Sequence, residues 1–149
     1  MSDDKKTTPP SLGGGGMPAC GATAACPVVT GTPAAISPTA NSIICKAGNL
    51  IVQNNNSGPD KTCTQAHEGS HIADWKGRYG PNLCSGVPDG QLPVGGPGYA
   101  DFLRQSECKA YKVGKACRQN LLTTAAAADK PAIQAAIARD DAQLVANSC

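Results

Sequence analysis

Apolar and polar positions follow three different rhythms along this chain. Between residues 42 and 53 two short apolar runs, Ile43-Ile44-Cys45 and Leu50-Ile51-Val52, flank Ala47-Gly48. Runs of that length around a turn signal predict a hairpin of Ser42–Lys46 with Asn49–Gln53, followed by the loop Asn54-Asn55-Asn56-Ser57-Gly58-Pro59. Asp60 then stands where it can cap a helix that runs to about Lys76, with Gly77 as its stop. A second helix is predicted from Tyr99 to about Leu122 on an apolar stripe of Leu103, Ala110, Val113, Gly114, Cys117 and Leu121, and Ala125 to Ala128 read as its end. A third runs from Pro131, well placed in a first turn, to Asn147. Residues 78–98 are rich in glycine and proline and predict a long loop pinned by Cys84. Upstream, residues 1–18 predict a mobile tail. Residues 20–39, small side chains broken by prolines, predict an irregular wrap tied by Cys20 and Cys26. The expectation is one domain over residues 19–149, mainly α with a small β hairpin (α+β).

Composition changes that picture in one respect. Aromatic side chains make up 3% of the chain, namely Trp75, Phe102, Tyr79, Tyr99 and Tyr111, so the core must be built from small aliphatic groups and needs reinforcement. Eight cysteines can provide it: Cys20, Cys26, Cys45, Cys63, Cys84, Cys108, Cys117 and Cys149. Their even number, without a Cys-x-x-Cys pair, predicts four disulfides rather than a thiolate metal cluster. Each closed loop disfavours the unfolded chain by roughly 2 to 4 kcal/mol. The net charge of +2 comes from dispersed basic residues, so nucleic acid is not expected as a partner. No stretch is long and apolar enough to span a membrane, and the first residues lack the apolar segment of a secretory leader. Disulfides predict an oxidising compartment, periplasmic or extracellular, reached by loss of a leader or by an unconventional route.

Against this background the chemistry is concentrated. The chain has two histidines and two glutamates; His67-Glu68-Gly69-Ser70-His71 holds three of the four, and Glu107 is the other. Residues four apart on a helix lie about 40° apart around its axis, so His67 and His71 can offer imidazole nitrogens to one metal ion. Glu68 projects beside them, free to take a proton from a water that the metal acidifies and pass it to a leaving amine. A catalytic zinc needs a third protein ligand, and Glu107, on the shoulder of the second helix's apolar stripe, is the choice. Asp74 shares the face of His67 and His71 and could be that third ligand or an acceptor that fixes an imidazole tautomer. Cys63, one turn before His67, could instead close the site as a thiolate and make the zinc structural. Tyr111, one turn after Glu107, is the candidate oxyanion donor, with Tyr99 the weaker one. Trp75 reads as core. Arg78 and Arg118 could orient a substrate carboxylate, though nothing singles them out.

A His-Glu-x-x-His helix followed by a second helix with a glutamate resembles the gluzincins, the glutamate-ligand branch of the zincin metallopeptidases, over residues 60–111. The resemblance implies His67, His71 and Glu107 as Zn2+ ligands, Glu68 as general base, a zincin-like minimal core, and Asn49–Gln53 as the edge along which an extended peptide pairs. The chain departs from thermolysin-like members, which place an aspartate where Tyr111 stands. The small size, N-terminal tail and cysteine load are similar to bacterial peptidase effectors of contact-dependent and type VI secretion. That likeness implies a toxin acting on a protein or cell-wall peptide, with a cognate immunity or inhibitor protein. The competing expectation is a non-catalytic secreted binding or structural module whose zinc is closed by Cys63 or Asp74.

Overall fold

The computed structural model describes residues 29–149; the expected tail, Cys20 and Cys26 lie outside them. Seven elements follow in order: β1 Thr32–Ala35, β2 Ser42–Lys46, β3 Asn49–Gln53, α1 Lys61–Tyr79, β4 Gln91–Val94, α2 Tyr99–Thr124 and α3 Lys130–Ala146. The class is α+β, three helices with two two-stranded antiparallel sheets.

The hairpin forms where expected. Ile43 pairs with Val52 and Cys45 with Leu50, and both turn residues have positive φ, Ala47 at 49° and Gly48 at 76°. That turn matches the right-handed twist of the strands. Asp89 Oδ1 accepts the Ala47 N–H at 2.7 Å, which holds the one non-glycine residue of the turn in its left-handed conformation.

Two stretches expected to be irregular carry the second sheet. β1 lies inside the predicted wrap and β4 inside the predicted loop, in a register that sets Pro33 opposite Pro93. The Pro93 carbonyl turns away from β1 and accepts the Trp75 Nε1–H at 2.9 Å. Two missing N–H groups cost least at a position whose backbone does not face its partner strand. The two sheets meet where Gly90 N–H donates to Cys45 O at 2.9 Å and Ile36 N–H donates to Gly90 O at 3.0 Å.

α1 runs through Gly77 to Tyr79 and stops at Gly80, whose φ is 92° and whose N–H donates to Lys76 O. The predicted stop at Gly77 fails because the last turn is bought into the core by its neighbours: Arg78 and Tyr79 are both about nine-tenths buried or more. Tyr79 Oη donates to Gly95 O at 2.8 Å, and Arg78 Nη2 donates to Gly95 O and Pro97 O. The Arg78 guanidinium also lies over the Phe102 ring, 4.8 Å from its centroid. Such contacts outweigh the roughly 1 kcal/mol that a helical glycine costs. Ala125 does not extend α2 either, since its ψ of 146° ends the helix at Thr124.

α2 packs on α1 along one side and on α3 along the other. Ile43, Cys45, Trp75, Tyr79, Leu83, Cys84 and Leu92 form the core between the sheets and the end of α1, with Phe102 and Leu103 of α2 against it. Three disulfides join these layers: Cys45–Cys84, Cys63–Cys117 and Cys108–Cys149. They are consistent with an oxidising compartment. Among the described residues no helix is long and apolar enough to cross a membrane.

The helices are also tied by charge. Arg118 of α2, 7% exposed, donates through Nε to Asp60 and through Nη1 to Asp140 of α3, both at 2.7 Å. Asp60 does occupy the N-cap position of α1, yet its side chain caps nothing there. Its carboxylate is held by Arg118 and Asn56 instead. Burial pushes this carboxyl up, but the hydrogen bonds from Asn56 and Arg118 and the guanidinium charge hold it below its ordinary value.

Candidate metal centre

His67 and His71 stand one turn apart on the buried face of α1, and α2 brings Glu107 over them. Glu107 Oε2 is 3.9 Å from His67 Nε2, and Oε1 is 3.8 Å from His71 Nε2. One ligand atom from each of the three residues lies within 4.8 Å of the others, a group that can hold a metal ion. Ligand atoms around a tetrahedral zinc are about 3.4 Å apart, so closing on the ion needs shifts of a few tenths of an ångström to about one ångström.

The approach of the helices that makes this possible has two visible causes. Cys63, one turn before His67, is bonded to Cys117 of α2. Gly114 faces His67 across the helix contact, and a Cβ there would lie 3.4 Å from His67 Cβ and Nδ1 and 2.8 Å from Arg118 Nη1. A glycine at this point lets α2 come close without displacing either side chain.

Hydrogen bonding fixes the orientation of His71. Its Nδ1 lies 2.8 Å from Ser106 Oγ, and Ser106 donates its hydroxyl proton to Asp74 Oδ2 at 2.7 Å. With that proton committed, Ser106 accepts from His71 Nδ1–H, which leaves the Nε2 lone pair directed at Glu107. Lys109 donates to the other oxygen of Asp74 at 2.7 Å. Asp74 thus reaches His71 through a serine and is not within the ligand group.

The electrostatics favour a cation. Burial lowers both histidines to about 4, with the neighbouring His71 and Arg118 charges adding to the effect on His67, so both imidazoles are neutral at pH 7. Glu68, whose Oε1 is 3.9 Å from His67 Nε2, is raised to about 7 by burial and then by the Glu107 charge. Burial raises Glu107 as well. Two carboxyl groups and two neutral imidazoles share a desolvated space. A divalent ion would relieve the cost of ionising the carboxyls.

Two hollows open on the centre, and His67, Glu68 and Tyr111 line both. The smaller, about 260 Å³, has a mixed lining in which Ile36, Ile43, Leu92 and Leu103 stand beside Asn41, Ser42, His71 and Glu107. The larger, about 500 Å³, has a polar lining that includes Asn41, Arg118, Arg139 and Gln143. The Tyr111 ring packs edge-on against His67 with centroids 4.7 Å apart, and its hydroxyl has no partner among the described residues.

Several expectations need correction. Cys63 is in a disulfide and offers no thiolate. Arg118 is occupied by Asp60 and Asp140, and Arg78, whose Nη2 donates to two carbonyls while Nε and Nη1 are buried without a partner, lines neither hollow at the centre. The strand beside the centre is β2, through Ser42 and Ile43, rather than β3. Cys45 O on that strand accepts from Gly90 N–H, and the Ile43 carbonyl, two residues earlier, accepts from Ser42 Oγ at 3.1 Å. Trp75 is core, as expected. Ser106 and Gly114 were missed as site residues. Ser106 lies three residues after Leu103 and four before Ala110, a lone hydroxyl within an apolar stripe, and that was the available signal.

Comparison with protein-family models, with curated proteins and with solved structures finds no match to this chain.

Proposed function

We propose that the protein is a zinc-dependent hydrolase that cleaves peptide bonds, of the gluzincin kind. The observation that carries the reading is the grouping of His67, His71 and Glu107, with one ligand atom from each within 4.8 Å of the others, and with Glu68 beside them and outside the ligand group. Two neutral imidazoles and one carboxylate make a donor set suited to zinc. Bound there, zinc would supply Lewis acidity to the scissile carbonyl and to a water.

The chain's own residues do the rest. Glu68 takes the proton of the attacking water and delivers it to the leaving amine nitrogen. Tyr111 donates its free hydroxyl to the negative charge developing on the carbonyl oxygen. Asp74 and Ser106 hold His71 in the tautomer that a ligand requires. An extended substrate lies along the start of β2, where Ser42 and Ile43 line the smaller hollow. The closed structural site has lost its two candidate ligands, since Cys63 is bonded to Cys117 and Asp74 is engaged by Ser106 and Lys109.

Within this reading the disulfides support action in the periplasm or outside the cell. We extend it to an effector toxin that cuts a protein or cell-wall peptide and is neutralised in its producer by an immunity protein. The decisive experiment pairs elemental analysis with one substitution. The dialysed protein should hold about one zinc per chain. Glu68→Gln should keep the metal and the melting temperature while losing roughly 100-fold or more of peptidase activity. A protein that takes up no zinc on titration, or a Glu68→Gln variant as active as the parent, would remove the proposal.

A further inference from the structure

Four residues line both hollows: His67, Glu68, Tyr111 and Asn41. The first three have roles above, as ligand, base and hydroxyl donor. Asn41, immediately before β2, has none. Its side-chain oxygen accepts the Asn55 N–H at 2.7 Å, which fixes the orientation of the amide, because the nitrogen cannot accept that bond. Asn41 Nδ2 is left with two N–H groups to donate and no partner among the described residues. The backbone that carries it is exposed yet closely held. Gln53 Nε2 donates to Ser37 O at 2.9 Å and to Ala40 O at 2.7 Å, and Asn55 Nδ2 donates to Pro38 O at 3.0 Å and to Ala40 O at 2.8 Å. Ser37, Pro38, Thr39 and Asn41 are exposed, so apolar burial does not supply this rigidity; side chains from the end of β3 and the loop after it do. A donor oriented in advance loses little freedom when it meets an acceptor.

The charges nearby decide which acceptor suits this donor. In the larger hollow Arg118 is shared by Asp60 and Asp140, and Arg139 acts on Asp140 as well, so two cations stand against two carboxylates beside the base Glu68. That balance favours an uncharged group. In the smaller hollow Asn41 is followed by Ser42 and Ile43, where the backbone begins to pair as β2. The uncharged acceptor that every extended peptide carries from one hollow to the other is its main-chain carbonyl. We infer that Asn41 is a substrate-binding residue, whose Nδ2 donates to a main-chain carbonyl of a peptide lying across the centre. This role rests on the hydrolase reading above and adds a contact to it: Tyr111 meets the scissile carbonyl and Asn41 a neighbouring one, which keeps the bond before Glu68.

Asn41→Asp separates the two bonds of this side chain, since it keeps an oxygen for the Asn55 N–H and removes the donor. The probe is dephosphorylated, fluorescein-labelled casein, whose unfolded chain offers many local sequences. Binding is read by fluorescence anisotropy on the zinc-loaded full chain carrying Glu68→Gln, and hydrolysis on the parent. Adding Asn41→Asp should weaken binding about tenfold and lower kcat/KM by a similar factor, with zinc affinity and melting temperature unchanged. Asn41→Ala, which loses the Asn55 contact as well, should bind as poorly and melt lower. Gln143→Glu, which adds the same charge to the larger hollow from α3, should leave binding within about threefold of the parent. Undiminished binding in Asn41→Asp, an equal loss in Gln143→Glu, a loss seen only where the melting temperature falls, or no casein binding by the Glu68→Gln chain overturns the inference. Cleavage indifferent to Asn41→Asp leaves the hydrolase reading standing, whereas Asn41-dependent binding without cleavage by the parent removes that reading and keeps the peptide site.

Discussion

Two buried polar centres meet at Gly114, and they treat charge in opposite ways. Around Arg118 two carboxylates share one cation: Asp60 and Asp140 both accept from the guanidinium at 2.7 Å, and Thr64 and Asn56 complete the network. Around His67 and His71 the ionisable neighbours are Glu68 and Glu107, both carboxyl groups, set against imidazoles that burial keeps neutral. Both centres are similarly shielded from water, so burial alone does not distinguish them. Partnership does. The first joins three helices around a resident guanidinium; the second has carboxyl groups and imidazole lone pairs with no cationic side chain among them, a set that can hold a metal ion.

The comparison can be broken first at Arg118. Arg118→Met keeps much of the volume but strands two carboxylates, and should lower the unfolding free energy by about 3 to 5 kcal/mol in denaturant titration. Adding Asp60→Asn and Asp140→Asn should recover much of that loss. A single substitution costing under about 1 kcal/mol would show that the ion cluster does not hold the helices together.

Removing the Cys63–Cys117 bridge tests whether the metal centre depends on that scaffold. Replacing both cysteines by serine should cost about 2 to 4 kcal/mol of stability, seen as a lower melting temperature. It should also weaken zinc binding, because the bond fixes the approach of the two ligand-bearing helices. Unchanged zinc affinity in a destabilised but folded variant would separate the centre from its brace.

The smallest effect belongs to the link from His71 through Ser106 to Asp74. Ser106→Ala should reduce zinc affinity by about 10- to 100-fold in a chelator competition. Lys109→Ala, which touches the same aspartate from the exposed side, should change affinity by no more than a few-fold. Equal losses from both variants would mean that the aspartate charge, and not the orientation of His71, is what matters.

The legibility of the chain follows the range of its interactions. The β2–β3 hairpin and the three helices were readable because their signals are local, in apolar runs, a two-residue turn and Pro131 at a helix start. β1 and β4 were not. Thr-Pro-Ala-Ala and Gln-Leu-Pro-Val carry prolines that local propensity assigns to loops, and only pairing across the chain, with Trp75 taking the Pro93 carbonyl, makes them strands. At the site, His67, His71 and Glu107 could be assembled from helical spacing and chemistry. Asp60 looked like a cap because Arg118, its actual partner, lies 58 residues away. The role of Gly114 was equally hidden, since it consists of what the residue lacks at a contact formed only in the folded chain.

The Cys63–Cys117 bond also imposes an order in time. During synthesis the α1 histidines emerge well before Glu107, and the sulfur that braces their helix needs a partner 54 residues further along. For that interval the nascent chain displays the two imidazoles of the candidate metal centre on a helix without its neighbour. The brace of the centre therefore cannot close before Cys117 is made, and its closure is coupled to the moment at which the chain meets an oxidant.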